Sequence, residues 1–144
     1  MNSLDDAVFR LELAQGYLSK AERDARDQRW DDCLANAQNA VENAGKSVLS
    51  HFRPVPKTHD VVNPLRSLLE QPGVAPSVQA GIREALGAFD DMGLETHVRA
   101  AYGDEATHTP PWELIEEPEA RAGLDKARRA IALAEAVIRV MTDR

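Results

Sequence analysis

The segment Thr96–Trp112, THVRAAYGDEATHTPPW, packs two histidines, an arginine, a tyrosine, an aspartate and a glutamate ahead of two prolines and a tryptophan. Arg99 offers five N–H donors in a rigid fork, which suits a phosphate. Tyr102 offers a ring on which a base can stack, and a hydroxyl. If LETHVRAAYG is helical, Arg99 and Tyr102 share a face at i,i+3, while His97 shares another with Ala101. Gly103 then releases the helix, and Asp104 and Glu105 can cap or pair. The segment reads as an anion or nucleotide contact. The alternative is that Arg99 pairs with Asp104 or Glu95 and that Tyr102 packs beneath the loop.

A second candidate, KTHD, puts His59 and Asp60 in the first turn of a helix that Thr58 can cap. A histidine there can do acid–base work beside Asp60, or it can simply cover a neighbour. Arg53 precedes His59 with five residues between. Two of these are prolines, so the pair does not share a helical turn. Lys46 and Arg66 read as solvated charges on amphipathic helices. Lys126, Arg128 and Arg129 are the densest basic cluster, with acids beside them. No two histidines have the spacing of HxxxH, so no metal site is expected. There is no Gly-rich phosphate loop, no GxSxG and no HExxH, and hence no expected cofactor and no confident catalytic set.

These residues must be held by helices. The 144-residue chain is long enough to bury a core and is expected to be one domain over 1–144. Its formal net charge of -7 repels nucleic acid overall, so any such binding needs a local patch. The single cysteine, Cys33, excludes an intrachain disulfide and reads as a small core residue. An acidic start and the lack of a long apolar run point to a cytoplasmic protein away from the membrane.

Leu4, Val8, Leu11, Ala14, Leu18, Ala21 and Ala25 recur at spacings of three and four and predict a long first helix. Asp6/Arg10 and Glu22/Arg26 are expected i,i+4 pairs on its wet side. Gly16 could admit a close helix neighbour. Trp30, Leu34, Ala37, Val41, Ala44, Val48 and Phe52 predict a second helix, antiparallel to the first across a short turn, and Pro54 and Pro56 end it. HDVVNPLRSLLE predicts a shorter third helix. VQAGIREALGAFDDMG predicts a fourth, with Val78, Ile82, Leu86 and Phe89 inward. Leu124, Ala127, Ile131, Ala134, Ile138 and Met141 mark the last, with Pro118 in its first turn. No segment alternates as a strand. The fold class is all-α: an antiparallel up-and-down bundle of four to five helices. The long Ala-rich faces are wide for one small bundle to bury, which points to a homodimer.

The run AERDARDQRWDDCLANAQNAVENAGKSVLSHFRPVPKTHDVVNPLRSLL resembles HEPN domains, small helical nucleotide-binding domains of prokaryotes and higher eukaryotes. Trp30, Ala37, Ala40, Glu42, Lys46, Thr58, His59, Asp60, Leu65 and Leu68 fall on the family's pattern. HVRAAYGDE and EARAGLDKARRAIALAEAVI are similar to its later elements. The resemblance implies a helical bundle, commonly dimeric, often beside a minimal nucleotidyltransferase as a toxin–antitoxin pair. Other members are metal-independent ribonucleases with an Arg-x(4–6)-His motif. Here the histidine after Arg99 is His108, with eight residues between, and His97 precedes Arg99. What the resemblance then implies is nucleotide or RNA binding through Arg99, Tyr102 and Asp104 near a dimer cleft, with His97, His59 and Lys46. A ribonuclease toxin and a non-catalytic dimeric adaptor are the alternatives.

Overall fold

The computed structural model describes residues 3–143. Helix α1 (Ser3–Arg26) and helix α2 (Trp30–Ser50) form a hairpin across a three-residue turn. Contacts from Asp24 to Asn36, Arg10 to Asn43 and Ala7 to Ser47 set them antiparallel. Helices α3 (Val62–Ser67) and α4 (Pro76–Ala85) follow, then a 3-10 turn at Leu86–Ala88. Helices α5 (Leu94–Tyr102), α6 (Pro111–Leu114) and α7 (Glu117–Thr142) complete the described chain. Five of these helices pack as the bundle: α2 against α1, α5 and α7, and α7 also against α1 and α4. The other two, α3 and α6, are short pieces in the connections. Among the described residues there is no strand, only an isolated bridge between Asp104 and Thr109.

The helices form because their apolar residues recur at helical spacing, and small residues let them approach. Ala14, Ala21, Ala37, Ala44, Ala127 and Ala134 are all fully buried in one core with Leu34, Val41 and Val48. The Ala-rich faces are therefore covered within one chain, and they do not by themselves require a second copy. At the start of α1 the stripe fails. Leu4, Val8 and Phe9 are exposed, while Ala7 is the residue buried against α2 at this end, its carbonyl accepting from Ser47. Gly16 meets no neighbour and faces solvent. Cys33 is in the core, where burial pushes its thiol up to about 11.

The central element is α2. Every residue from Ala40 to Ser50 is buried, polar ones included. A helix covered on all sides must find partners for its polar groups, because an unpaired buried polar group costs about 1–3 kcal/mol. Those partners come partly from α2 itself, as where Asn43 donates to the Asn39 carbonyl and Ser50 to the Ser47 carbonyl, and partly from other elements. The expected local pair Asp6/Arg10 gives way to a bond from Arg10 to Asn43, and Glu22 pairs with Arg128 of α7 rather than with Arg26. Lys126, Arg128 and Arg129 do not act as one cluster. They reach, in turn, the Asp90 carbonyl, the carboxylates of Glu22 and Asp125, and the Glu84 carbonyl.

Candidate functional site

The polar face of α2 carries Gln38, Glu42 and Lys46 at i, i+4 and i+8, one above the other. Two segments close over it. The chain after α2 brings His59, and α5 brings His97. Lys46, expected in solvent, is buried, and its Nζ lies 2.8 Å from Glu42 Oε2 with side-chain exposures of 9% and 10%. Glu42 Oε1 meets His59 Nδ1 at 2.7 Å and Gln38 Nε2 at 3.2 Å. Gln38 Nε2 also donates to the Met92 carbonyl at 3.3 Å, and its Oε1 lies 3.2 Å from His97 Nδ1. The rings of His59 and His97 stack, with centroids 4.1 Å apart and planes 15° from parallel.

The electrostatics follow from these contacts. Burial alone pushes the Glu42 carboxyl up. Hydrogen bonds from Lys46, His59 and Gln38, together with the Lys46 charge, outweigh it and hold the carboxyl below its ordinary range. Glu42 is therefore an anion that only accepts, so His59 Nδ1 carries its hydrogen and donates. That is the arrangement by which a carboxylate orients an imidazole and leaves Nε2 free for acid–base or hydrogen-bonding work. His97 is shifted down, first by burial and then by the neighbouring His59 ring, with Glu42 pulling weakly the other way.

The loop that delivers His59 is not the helix start expected of it. Helix α3 begins only at Val62, so Thr58 caps no helix; its hydroxyl accepts from the Asp60 backbone N–H at 3.0 Å. Pro64 sits in the first turn of α3, and the residues from Arg53 to Val61 form no helix. Asp60 instead reaches across to the backbone N–H of Leu94 at 3.3 Å, where α5 begins. The residue before Leu94 is Gly93, which has no side chain to cap with, and a side chain there would collide with the Asp60 carboxylate. One loop thus sets both His59 and the start of the helix that carries His97. Arg53 takes no part: its guanidinium lies 3.3 Å from the Ser67 hydroxyl.

The segment from Thr96 to Trp112 is built differently. Arg99 binds Glu119 of α7 through two nitrogens, at 2.5 and 3.2 Å. Its partner is neither Asp104 nor Glu95, and that bond raises its already high pKa further. Tyr102 is not under the loop; it is 67% exposed. Asp104 accepts from the backbone N–H groups of Ala106 and Thr107, and its own backbone pairs with Thr109. Gly103 makes this corner, with φ 75°, and any side chain there would strike the Thr109 carbonyl. His108 is exposed, also in the left-handed region at φ 54°. Arg99, Tyr102 and Asp104 therefore lie apart from the Lys46–His59–His97 group. Arg99 and Glu119 line a cleft of about 640 Å³ together with Leu34, Phe89 and Met92 and the polar Asp60, Arg66, Asp90, Glu95 and Lys126.

A family model for the HEPN domain matches residues 7–144. The chain belongs to the HEPN family. A crystal structure of TT1696 from Thermus thermophilus has the same fold, with a TM-score of 0.67 at 24% identity, covering 95% of this chain and 99% of that one. No curated protein matches the sequence. Among the described residues of this HEPN domain, no group of three or more His, Cys, Asp or Glu side chains is gathered as a metal site. No described helix is long and apolar enough to cross a membrane.

Sequence reasoning placed Lys46, His59 and His97 among the candidates but gave Gln38 and Glu42 no part in a site. The available signal was their spacing. A Gln-x3-Glu-x3-Lys ladder on a helix with a strong apolar stripe is suspicious when a histidine-bearing loop follows within twenty residues.

Proposed function

We propose that this HEPN domain binds a nucleotide or RNA and works, as a cytoplasmic homodimer, with a minimal nucleotidyltransferase in a toxin–antitoxin pair. The observation that carries the binding reading is the His59–Glu42 contact. A buried carboxylate fixes one side of a half-exposed imidazole, and a second imidazole is stacked beside it. The family match supports the nucleotide or RNA part. The dimer reading draws on α5, where Leu94, Val98 and Tyr102 stand exposed at i, i+4 and i+8, with Trp112 exposed on the neighbouring α6. An apolar row of that kind suits a protein contact.

The ribonuclease alternative is less favoured by the geometry. Its arginine would be Arg99, whose guanidinium is already held by Glu119, and His108 sits in a separate exposed turn. Isothermal titration with ATP, GTP and short RNA, with and without a nucleotidyltransferase partner, tests the binding reading. Binding that weakens on His59→Ala supports it, and the absence of heat with every ligand in both settings overturns it. Light scattering tests the dimer, which Val98→Glu is expected to dissociate.

A further inference from the structure

The stacked histidines turn their ring hydrogens inward. His59 Nδ1 donates to the Glu42 carboxylate, which can only accept. His97 Nδ1 faces the Gln38 amide. The nitrogen of that amide lies between two acceptors, Glu42 Oε1 and the Met92 carbonyl, so its oxygen is the atom that meets His97. His97 Nδ1 therefore donates as well. Histidine is ordinarily uncharged at about pH 8, and an uncharged ring with its hydrogen on Nδ1 has a bare lone pair on Nε2. Neither Nε2 has a protein partner among the described residues, where only His51 Nε2 is both unpartnered and buried. The edge that the rings turn away from α2 is thus a pair of acceptors. The rings lie 4.1 Å apart and 15° from parallel, which sets the two acceptors side by side.

The charge behind this edge cancels, because Glu42 is paired with Lys46. A phosphate brings only acceptors, and two lone pairs repel it. A cation finds no net negative charge to draw it, since the one carboxylate is already met. What fits is a neutral group with two N–H donors on one edge. Among the nucleobases only guanine has one, where N1–H stands next to the 2-amino group. Adenine and cytosine set a ring acceptor beside their amino group. Uracil sets its single N–H between two carbonyls.

We propose that the Nε2 atoms of His59 and His97 form a guanine-selecting edge, which accepts from N1–H and the 2-amino group of a guanine nucleotide or of a guanine in single-stranded RNA. The proposal rests on the nucleotide or RNA reading above and adds to it the base and the atoms that select it. The two guanine nitrogens are closer together than the two rings, so the base lies across the stack and each hydrogen bond splays slightly outward. The selection comes from mismatch as much as from match. Any other base on this edge puts a lone pair against a histidine lone pair, and a polar group left facing its own kind costs more than a hydrogen bond gains. The 40% exposure of the His59 side chain leaves room for a ligand to reach the edge.

The test is NMR of 15N-histidine-labelled protein at about pH 8, titrated with GMP, IMP and AMP. In the free protein both Nε2 resonances are expected where a ring nitrogen without hydrogen falls; a hydrogen on either one overturns the proposal. GMP is expected to move both. IMP keeps N1–H but lacks the 2-amino group, so it is expected to bind about fivefold more weakly, the scale of one neutral hydrogen bond. AMP sets a ring acceptor against a histidine and is expected to bind about tenfold more weakly or worse. His97→Phe keeps a flat ring on the stack and leaves one acceptor, so GMP and IMP are then expected to bind alike. The trinucleotide UGU carries the same edge, and whichever of UGU and GMP binds more tightly identifies the source. If GMP binds no better than IMP and AMP, or binds while both Nε2 resonances stay still, the edge is wrong and the binding reading stands. If argininamide moves both resonances and GMP does not, the edge takes a protein guanidinium and the guanine proposal falls. If no nucleotide or RNA binds the wild-type protein, both readings fall. The wild-type titrations need no variant, so a variant that misfolds leaves the test intact.

Discussion

Two regions of this molecule hold its candidate functional side chains, and they are built in opposite ways. The stretch from Arg99 to His108 is dense in the sequence, yet its groups are spent on structure: Arg99 on Glu119, Asp104 on its own turn, Gly103 on the corner. The cluster of Gln38, Glu42, Lys46, His59 and His97 is scattered along the chain, yet its members converge and leave the Nε2 atoms of both histidines without a protein partner among the described residues. Density along the chain measures local chemistry, and a corner between helices needs much of it. A site needs groups that other elements hold in place and do not consume.

Stability measurements can overturn this contrast. The largest effect is expected for Glu42→Ala. It strands buried Lys46 without its carboxylate, a change that costs about 3–5 kcal/mol when a buried pair is broken. Urea denaturation checks it, and a loss below about 1 kcal/mol, the scale of an exposed pair, would mean that the cluster is not buried as described. Next comes Gly103→Ala, where a positive φ and the Thr109 carbonyl both oppose a side chain. A loss of about 1–3 kcal/mol is expected. Arg99→Ala should cost less than about 1 kcal/mol, because both partners are about one-third exposed and solvent screens the pair. An Arg99 effect larger than that of Glu42 would exchange the roles of the two regions. The smallest change is expected for Tyr102→Ala, within about 0.5 kcal/mol for an exposed side chain.

The pH dependence separates the two regions further. His97 is shifted below its ordinary 6.5, so the folded state favours the neutral ring. The unfolded chain takes up a proton first, and stability is lost as pH falls through 6.5 toward the folded value. Glu42 is also shifted down, from 4.5. Its contribution is present above that value and disappears as pH falls through its lower folded value. Urea midpoints from about pH 8 to about pH 3 should therefore drop in two stages; burial also shifts His51 down, so the two histidines share the first stage and His97→Phe should shrink it. A single stage unchanged in His97→Phe would place the acid sensitivity elsewhere.

Much of the fold was legible. Stripes such as Leu34–Ala37–Val41–Ala44–Val48 and Leu124–Ala127–Ile131–Ala134 declare α2 and α7, because helical periodicity is a local property that burial then uses. Pro54, Pro56 and Pro118 mark where the chain must stop or start. The third helix is shorter than its sequence suggests, beginning only at Val62, two residues before Pro64, and ending at Ser67. The site was half legible. Lys46, His59 and His97 stand out as types, but nothing local distinguishes a solvated Glu42 from one buried beneath another segment.

Residue types a few positions apart were enough to establish the helices, their apolar faces, the breaks and the HEPN character of the chain. Three things depended on how the helices come together. The polar face of α2 lies inside, Asp60 ties the His59 loop to α5, and two histidines thirty-eight positions apart stack on one carboxylate network. The physical reason is coverage. A polar ladder on a helix is indifferent to its surroundings until another segment excludes water from it. From then on its hydrogen bonds must be met by whatever that segment brings.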